Sequence, residues 1–250
     1  SNSVESNDEA WGRLTRYQVD ANDANALVPS SRTILFGTSW ADGPLIASPS
    51  HTIGTVRFGR DKTLLVTMGD GANFDRIDFG GLDPNAFLPG RVPADQDIGA
   101  FRSQYIHSLC GKLLRLDPAT GHGLPSNPYW DGDPMSVRSR VWAYGLRNPY
   151  RFTVRPNTGS TDPADGRPGQ LFIGEVGWYQ VEEVNVSTNG GENFAWPCFE
   201  GFGSTDQYTN LPQATRWLCD SIGTVNNPAA SYTFPQLAMH HSTAALSTPP

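Results

Sequence analysis

The sequence predicts an all-β protein built from short strands, and three observations support this. Glycine and proline are abundant, at 26 and 20 of the 250 residues, and they end short apolar runs along most of the chain. Aromatic residues make up 11% of the chain, while charged residues make up only 17%. A helical bundle would need long runs of Ala, Leu, Glu and Lys. Short strands at this spacing are typical of a sandwich, a barrel or a propeller, and the residue pattern leaves these open.

The predicted strands follow one another with turn residues between them. Arg13–Val19 alternates apolar and polar residues, and Gly59-Arg60-Asp61-Lys62 has the chemistry of a hairpin turn. In order, strands are predicted at Arg13–Val19, Thr33–Phe36, Gly54–Phe58, Leu64–Met68, Lys112–Leu116, Val141–Tyr144, Arg151–Val154, Leu171–Ile173, Val181–Val186 and Asn193–Trp196. Long loops are predicted at residues 70–104, 156–169 and 199–228, and loops of such length are usually functional.

Charge and hydropathy argue against two classes of partner. The net charge is −7 and the isoelectric point about 5.1, without any run of Lys or Arg. A nucleic-acid groove needs a basic stripe, so that partner is not expected. No apolar stretch approaches the ~20 residues that span a bilayer. The chain starts at Ser1 without a charged and apolar leader, so we expect a removed signal peptide or a longer parent chain.

Three cysteines bear on the cellular compartment. Cys198 and Cys219 flank one loop at a separation that suits a disulfide. Cys110 precedes an apolar strand and is predicted to be a buried thiol. A disulfide indicates an oxidising compartment, which predicts a secreted or periplasmic protein. Three unpaired core cysteines in a cytosolic protein remain the alternative.

Four motifs occur in a fixed order, and the set is more specific than any one of them. They are His51–Phe58 with Val66–Asp70, Gly111–Pro118 with Asn127-Pro128, Trp142–Pro149, and Gly174–Trp178 with Glu182–Asn185, Asn193–Pro197 and Glu200-Gly201. Together they resemble the glucose/sorbosone dehydrogenase family over residues 11–201. The resemblance implies a six-bladed β-propeller of four-stranded blades, whose later blades have no visible counterpart here.

The implied domain organisation is a single partial propeller over residues 1–250. About three to four blades would lie in this chain, and the remaining blades would come from a longer chain or from elsewhere. Residues 202–235 are expected to be a loop-rich blade segment. Residues 236–250 are small and polar and are expected to be a tail or a truncation point.

The resemblance also implies oxidation of an aldose sugar at its anomeric carbon, with pyrroloquinoline quinone (PQQ) and calcium. His51 matches the family's catalytic base, and an ordinary imidazole is largely neutral near pH 7. Arg147 and Asn148 match the cofactor contacts. Residue chemistry alone allows blander interpretations, in which His51 binds a loop carbonyl and Arg-Asn-Pro forms a turn. A quinone or a cytochrome is a possible electron acceptor.

Calcium is the second implied ligand. The resemblance assigns the backbone carbonyls of Gly177 and Trp178 to the calcium beside the cofactor, and Glu183 with the Phe194 carbonyl to a separate structural calcium. Oxygen donors of this kind suit a hard cation. Two departures from the family pattern are Trp178, where proline is common, and Ser50, where the residue before the base is often acidic.

An acidic loop and two other functions complete the analysis. The loop carries Asp70, Asn73, Asp75, Asp78 and Asp83, fits no EF-hand spacing, and is predicted to be a polar surface loop, with calcium binding as the alternative. A non-catalytic secreted propeller that binds proteins or glycans is the second functional hypothesis. A calcium-dependent hydrolase is the third, and it requires carboxylates that converge on a central metal.

Overall fold

Antiparallel strands dominate the computed structural model, which describes residues 10–48, 50–81, 94–229 and 231–240 and the backbone of 246–247. The strands are β1 (Leu14–Val19), β2 (Leu27–Phe36), β3 (Ile53–Phe58), β4 (Leu64–Met68), β5 (Lys112–Leu116), β6 (Val141–Tyr144), β7 (Arg151–Val154), β8 (Leu171–Glu175), β9 (Val181–Ser187), β10 (Phe199–Glu200), β11 (Gly203–Ser204), β12 (Leu237–His240) and β13 (Leu246–Ser247). The helices are α1 (Val137–Arg140), α2 (Asp206–Thr209) and α3 (Gln213–Asp220), with 3-10 turns at Gly99–Ser103 and Pro163–Asp165. The prediction of an all-β protein is confirmed.

Two larger sheets hold most of the strands. One is four-stranded in the order β3-β4-β5-β6, and the other is five-stranded in the order β13-β12-β9-β8-β7. The hairpins β1-β2 and β10-β11 form two small sheets. Neighbouring strands of both sheets are antiparallel, although the connection from β4 to β5 runs through the long segment between Met68 and Lys112.

The four-stranded sheet is covered on both faces, and we call it the central sheet. Every residue of β4 and β5 is buried. Successive side chains point to opposite faces of a strand. Accordingly, Leu64, Val66 and Met68 pack in a cluster with Phe36 of the β1-β2 hairpin. Leu65 packs on the other side, in a cluster with residues of β7 and β8. Burial on both faces explains why apolar residues occupy consecutive positions in these strands, as at Leu64–Val66 and Leu113-Leu114.

The disulfide between Cys198 and Cys219 is present, which confirms that prediction, and Cys110 is a free, buried thiol. Near the disulfide, a third cluster of buried residues includes Phe101, Trp196 and Tyr208. Among the described residues, no helix combines the length and the apolar character that a membrane span requires.

Three local predictions differ from the structure. Asn193–Trp196 is not a strand, because the Asn193 side chain accepts the amide hydrogen of Ala195 and Ala195 has φ 78°. The predicted loop at residues 199–228 contains α2 and α3. Within the expected tail, Leu237–His240 pairs with β9 through Ala238 and Glu183, so part of this segment belongs to the second sheet.

Candidate functional site

His51 and Asp70 form a buried pair at one edge of the central sheet. His51 precedes β3 and Asp70 follows β4, and the pairing of Ile53 with Met68 brings them together. Nδ1 of His51 lies 2.7 Å from Oδ1 of Asp70, and both side chains are buried. His51 has φ 55°, a left-handed conformation that residues other than glycine seldom adopt. Such backbone strain clusters at active sites and ligand clamps, which makes this pair the natural centre of a site.

Asp70 is fixed by further donors besides the imidazole. Its Oδ1 accepts the amide hydrogen of Ala72 at 3.0 Å, and its Oδ2 accepts the indole hydrogen of Trp196 at 2.8 Å. Burial by itself raises the pKa of Asp70, but the neighbouring His51 and the Arg147 guanidinium outweigh it and hold that pKa below its ordinary value. The carboxylate is therefore ionised at neutral pH and orients the imidazole.

The prediction that Asp70 belongs to a polar surface loop was wrong. Asp70 lies two residues after the end of β4 and is buried, and its side chain faces inward toward His51. Asp78 is buried as well and accepts the amide hydrogen of Asn73 at 2.9 Å, whereas Asp75 is exposed. Asp83 lies outside the described residues. Asp70 thus supplies the acidic neighbour that Ser50 cannot.

Arg147 lies beside this pair, in the loop that follows β6. Its carbonyl accepts the amide hydrogen of Asp70 at 2.8 Å, and its guanidinium stacks on Trp196 at 5.4 Å. Nη1 of Arg147 donates to the carbonyls of Val176 at 3.1 Å and Gly177 at 2.8 Å. The guanidinium is buried and bonded to backbone oxygens, so it links the His51–Asp70 pair to the turn between β8 and β9.

Asn148 is held at the same place through its backbone. Its amide hydrogen goes to Oε1 of Glu175 at 3.2 Å, and its carbonyl accepts the amide hydrogen of Val176 at 3.2 Å. Oε1 of Glu175 also accepts the amide hydrogen of Arg147. The buried Glu175 carboxylate therefore fixes the backbone of both residues that the sequence predicted as cofactor contacts.

Residues 176–181 form a tight turn that carries Gly177 and Trp178, and we call it the 176–181 turn. A Cβ atom on Gly177 would collide with the Val181 carbonyl, so only glycine fits there. The Trp178 ring packs edge-on against Tyr208 at 5.4 Å and Trp196 at 6.1 Å. The side chain at the position where proline is common is thus anchored in the aromatic cluster beside Asp70.

Glu183 lies in β9 beneath this turn, next to Glu175. Asn185 bridges the two carboxylates, with Nδ2 donating to Oε2 of Glu175 at 2.9 Å and to Oε2 of Glu183 at 3.0 Å. Burial raises the pKa of Glu175 well above its ordinary value, and repulsion from Glu183 adds to this rise. Burial also raises the pKa of Glu183 to about 7, where repulsion from Glu200 and Glu182 acts in the same direction. Phe194, predicted as a partner of Glu183, lies in the core between the sheets and donates its amide hydrogen to Tyr144.

The structure therefore gathers His51, Arg147, Gly177 and Trp178, with Asn148 next to Arg147 in the loop between β6 and β7 and Glu183 on β9. In the described ranges, no three His, Cys, Asp or Glu side chains are grouped so as to hold a metal ion. Sequence reasoning missed the roles of Asp70, Glu175 and Trp196. For Asp70 a signal existed, because it is an acidic residue that follows the apolar run Leu64–Met68 after a single glycine, and this run was predicted to form a hairpin with the strand that begins near His51.

Comparison with known proteins relates the chain to one family. The family model of glucose/sorbosone dehydrogenases matches residues 2–234. The HIPL1 protein of Arabidopsis thaliana is 29% identical to this chain, and the aligned region covers 61% of this chain and 19% of HIPL1. Aldose sugar dehydrogenase YliI of Escherichia coli strain K12 is 28% identical over 38% of this chain and 22% of the relative.

A solved structure supports the same assignment at the level of the fold. PQQ-bound aldose sugar dehydrogenase from Streptomyces coelicolor superposes with a TM-score of 0.55 at 21% identity, over 91% of this chain and 46% of that one. The chain thus spans less than half the length of these three relatives. Because the family model matches nearly all of it, the chain belongs to the glucose/sorbosone dehydrogenase family.

Proposed function

We propose that this chain is part of a six-bladed propeller that oxidises an aldose at its anomeric carbon with PQQ and calcium. The observation that carries the proposal is the buried His51–Asp70 pair, which lies beside Arg147 and the 176–181 turn. The aldose sugar dehydrogenase names of two relatives support the substrate class. Here about three to four blades would come from this chain and the rest from further sequence, in a secreted or periplasmic protein, as the disulfide suggests.

His51 would act as the general base. Asp70 accepts the hydrogen bond at Nδ1, so Nε2 is the ring nitrogen left to take a proton. A base at hydrogen-bond distance from the anomeric hydroxyl removes its proton as the C–H bond breaks. The Asp70 carboxylate then stabilises the imidazolium that forms. When bound, PQQ would accept the hydride, and calcium would bind to PQQ and polarise it.

The donor set around the turn fits both groups. PQQ carries carboxylates and quinone oxygens, which a buried guanidinium and an amide side chain recognise, and Arg147 and Asn148 would supply these. Calcium prefers oxygen ligands, including backbone carbonyls, and the Gly177 and Trp178 carbonyls would supply two. A cationic group already contacts this turn, because the Arg147 guanidinium donates to the Gly177 carbonyl at 2.8 Å.

A structural calcium at Glu183 and the Phe194 carbonyl remains part of the proposal. Burial raises the pKa values of Glu175 and Glu183, and repulsion from neighbouring carboxylates adds to both, so a nearby cation would stabilise the pair. A divalent ion beside Glu183 and Glu175 would relieve that repulsion.

Substitution of the pair tests the function. We expect His51→Ala to lower dye-linked aldose oxidation by the PQQ- and calcium-loaded protein by roughly 10²–10⁴-fold, the usual contribution of a general base. We expect Asp70→Asn to lower it by about 10–100-fold, because the imidazole loses its orienting carboxylate. The measurement is kcat for an aldose, with thermal unfolding recorded alongside.

Asp75→Asn is the matched control, since it neutralises an exposed carboxylate in the same loop and should leave kcat unchanged. Unchanged turnover in a folded His51→Ala protein would refute the catalytic role. An unaltered protein that oxidises no aldose when loaded would refute the proposed activity and favour the non-catalytic binding module.

A further inference from the structure

The 176–181 turn is wrapped around one carboxylate, that of Glu200. Oε1 of Glu200 accepts the amide hydrogens of Trp178 at 2.7 Å, Tyr179 at 2.9 Å, Gln180 at 3.0 Å and Val181 at 3.3 Å. Glu200 is only 3% exposed. Within the described part of the chain, its charge is met by these peptide groups and by no lysine or arginine. Four amides on one carboxylate form a strong, charge-assisted array.

We propose that Glu200 is the positioning residue that orients the Gly177 and Trp178 carbonyls toward the cation of the active site. The inference rests on the proposed function, because it concerns the calcium and PQQ site. Glu200 itself does not contact the reacting atoms. It acts through the backbone of the turn.

The planarity of the peptide bond gives the direction of each carbonyl. In a trans peptide the carbonyl of one residue points opposite to the amide hydrogen of the next. The Trp178 amide faces Glu200, so the Gly177 carbonyl points away from Glu200. The Tyr179 amide faces Glu200, so the Trp178 carbonyl points away as well. Both predicted calcium ligands are thus turned to the opposite side of the turn.

The contacts on that opposite side agree with this direction. The Gly177 carbonyl accepts from Nη1 of Arg147 at 2.8 Å. The peptide between Val176 and Gly177 is oriented in the same way. Its amide donates to Oε2 of Glu182 at 3.1 Å, and its carbonyl accepts from Arg147 at 3.1 Å. Carboxylates lie on one side of the turn and a guanidinium on the other. The aligned peptide dipoles therefore present their negative ends to a cation.

The surroundings hold Glu200 rigidly enough for this role. It lies in β10, two residues after Cys198, which the disulfide ties to Cys219. A Cβ atom on Gly177 would come within 2.7 Å of Oε1 of Glu200, so the turn closes directly on the carboxylate. A shorter or uncharged side chain at position 200 cannot hold all four amides in this way.

Calcium affinity of Glu200 variants tests the inference. Calcium is titrated by calorimetry into the protein with and without saturating PQQ, and Glu200→Gln is compared with the unaltered chain. We expect calcium binding about 10-fold weaker or more, by analogy with lost supporting contacts at other metal sites. Glu200→Asp keeps the charge but withdraws it by one methylene, and we expect an intermediate affinity. This variant also serves if Glu200→Gln does not fold.

Glu192→Gln is the matched control, because Glu192 also accepts two loop amides, from Thr188 at 2.9 Å and Asn189 at 3.2 Å, at the other end of β9. It should lose comparable thermal stability and keep its calcium affinity. Equal calcium affinity in Glu200→Gln and the unaltered chain would overturn the inference and leave the proposed function standing. Absence of calcium binding by the unaltered chain would also overturn it, while the His51 variants judge the oxidation separately.

Discussion

At the scale of single residues, Lys112 is a buried cation enclosed by backbone oxygens. Its Nζ donates to the carbonyls of Arg102 at 2.9 Å, Ser103 at 2.9 Å and Cys110 at 2.7 Å. The Ser103 carbonyl also accepts the amide hydrogen of Gly145, at the start of the loop that carries Arg147. Lys112 therefore ties the 3-10 turn at Gly99–Ser103 to the backbone of the candidate site.

Burial lowers the pKa of Lys112 to about 7, which is testable because the sequence holds just one other lysine, the exposed Lys62. We expect the ε-carbon of Lys112 to titrate near pH 7 in ¹³C-lysine NMR, well below the ~10.4 of a lysine in an unfolded chain. Between these values the unfolded chain binds the extra proton. The free energy of unfolding should therefore rise with pH by up to ~1.4 kcal/mol per unit from this group.

A Lys112 signal that does not move below pH 10 would contradict the expectation. It would mean that the three carbonyls, which need all three ammonium hydrogens, outweigh the cost of burial. Lys62 provides the internal control in the same spectrum.

The sequence predicted part of the candidate site but not the role of Asp70, the buried carboxylate that holds His51. His51 and Arg147 were predicted because the four motifs, taken together and in order, resemble one family. Asp70 was assigned to the surface because a run of acidic and amide residues usually is solvated. Its burial arises from the register of β3 and β4, which joins residues 19 positions apart. The residue composition of a segment does not predict the register in which two strands pair.

At the scale of elements, strand positions were predictable and the irregular segments were not. Strands β4 to β7 match their predicted bounds, because each is a short segment rich in apolar residues and is closed by turn residues. Asn193–Trp196 failed because a side-chain hydrogen bond to Ala195 replaces a strand ladder. Helix α3 was predicted as part of a loop. Two signals for a helix were present: Pro212 just before its first residue, and the four-residue spacing of Ala214 and Leu218.

The Cys198–Cys219 disulfide fastens α3 to the loop after Trp196. It closes a segment with a sequence separation of 21, and Leu218 of α3 packs in the cluster with Trp196 and Tyr208. A bridge over such a loop stabilises a fold by about 3 kcal/mol. We expect reduction to lower the melting temperature and to speed amide exchange in α3, while β4 and β5 keep their protection.

The double variant Cys198→Ser/Cys219→Ser serves as the control for reduction. Its melting temperature should already be low and should not respond to reductant. Equal protection of α3 before and after reduction would show that packing alone holds the helix.

At the scale of the whole molecule, the central sheet works as a shared layer. One face packs on the β1-β2 hairpin and the other on β7 and β8. The candidate site lies where the loops of the central and second sheets meet, since His51 and Arg147 come from the first and Gly177 from the second. The geometry of the site therefore depends on how these two sheets pack.

Trp142 makes this dependence measurable. It lies in β6, is fully buried with Phe152 and Ile173 of the second sheet, and donates its indole hydrogen to Ser187 at the end of β9 at 2.9 Å. We expect Trp142→Ala to lower the free energy of unfolding by about 3–5 kcal/mol, as large cavities do. The loss should raise amide exchange in β5 and β8 together, in one urea transition.

Trp130→Ala, at a partly exposed position outside the clusters, should cost far less. Faster exchange in β5 with unchanged β8 would show that the sheets unfold independently, and the site would then need another source of rigidity.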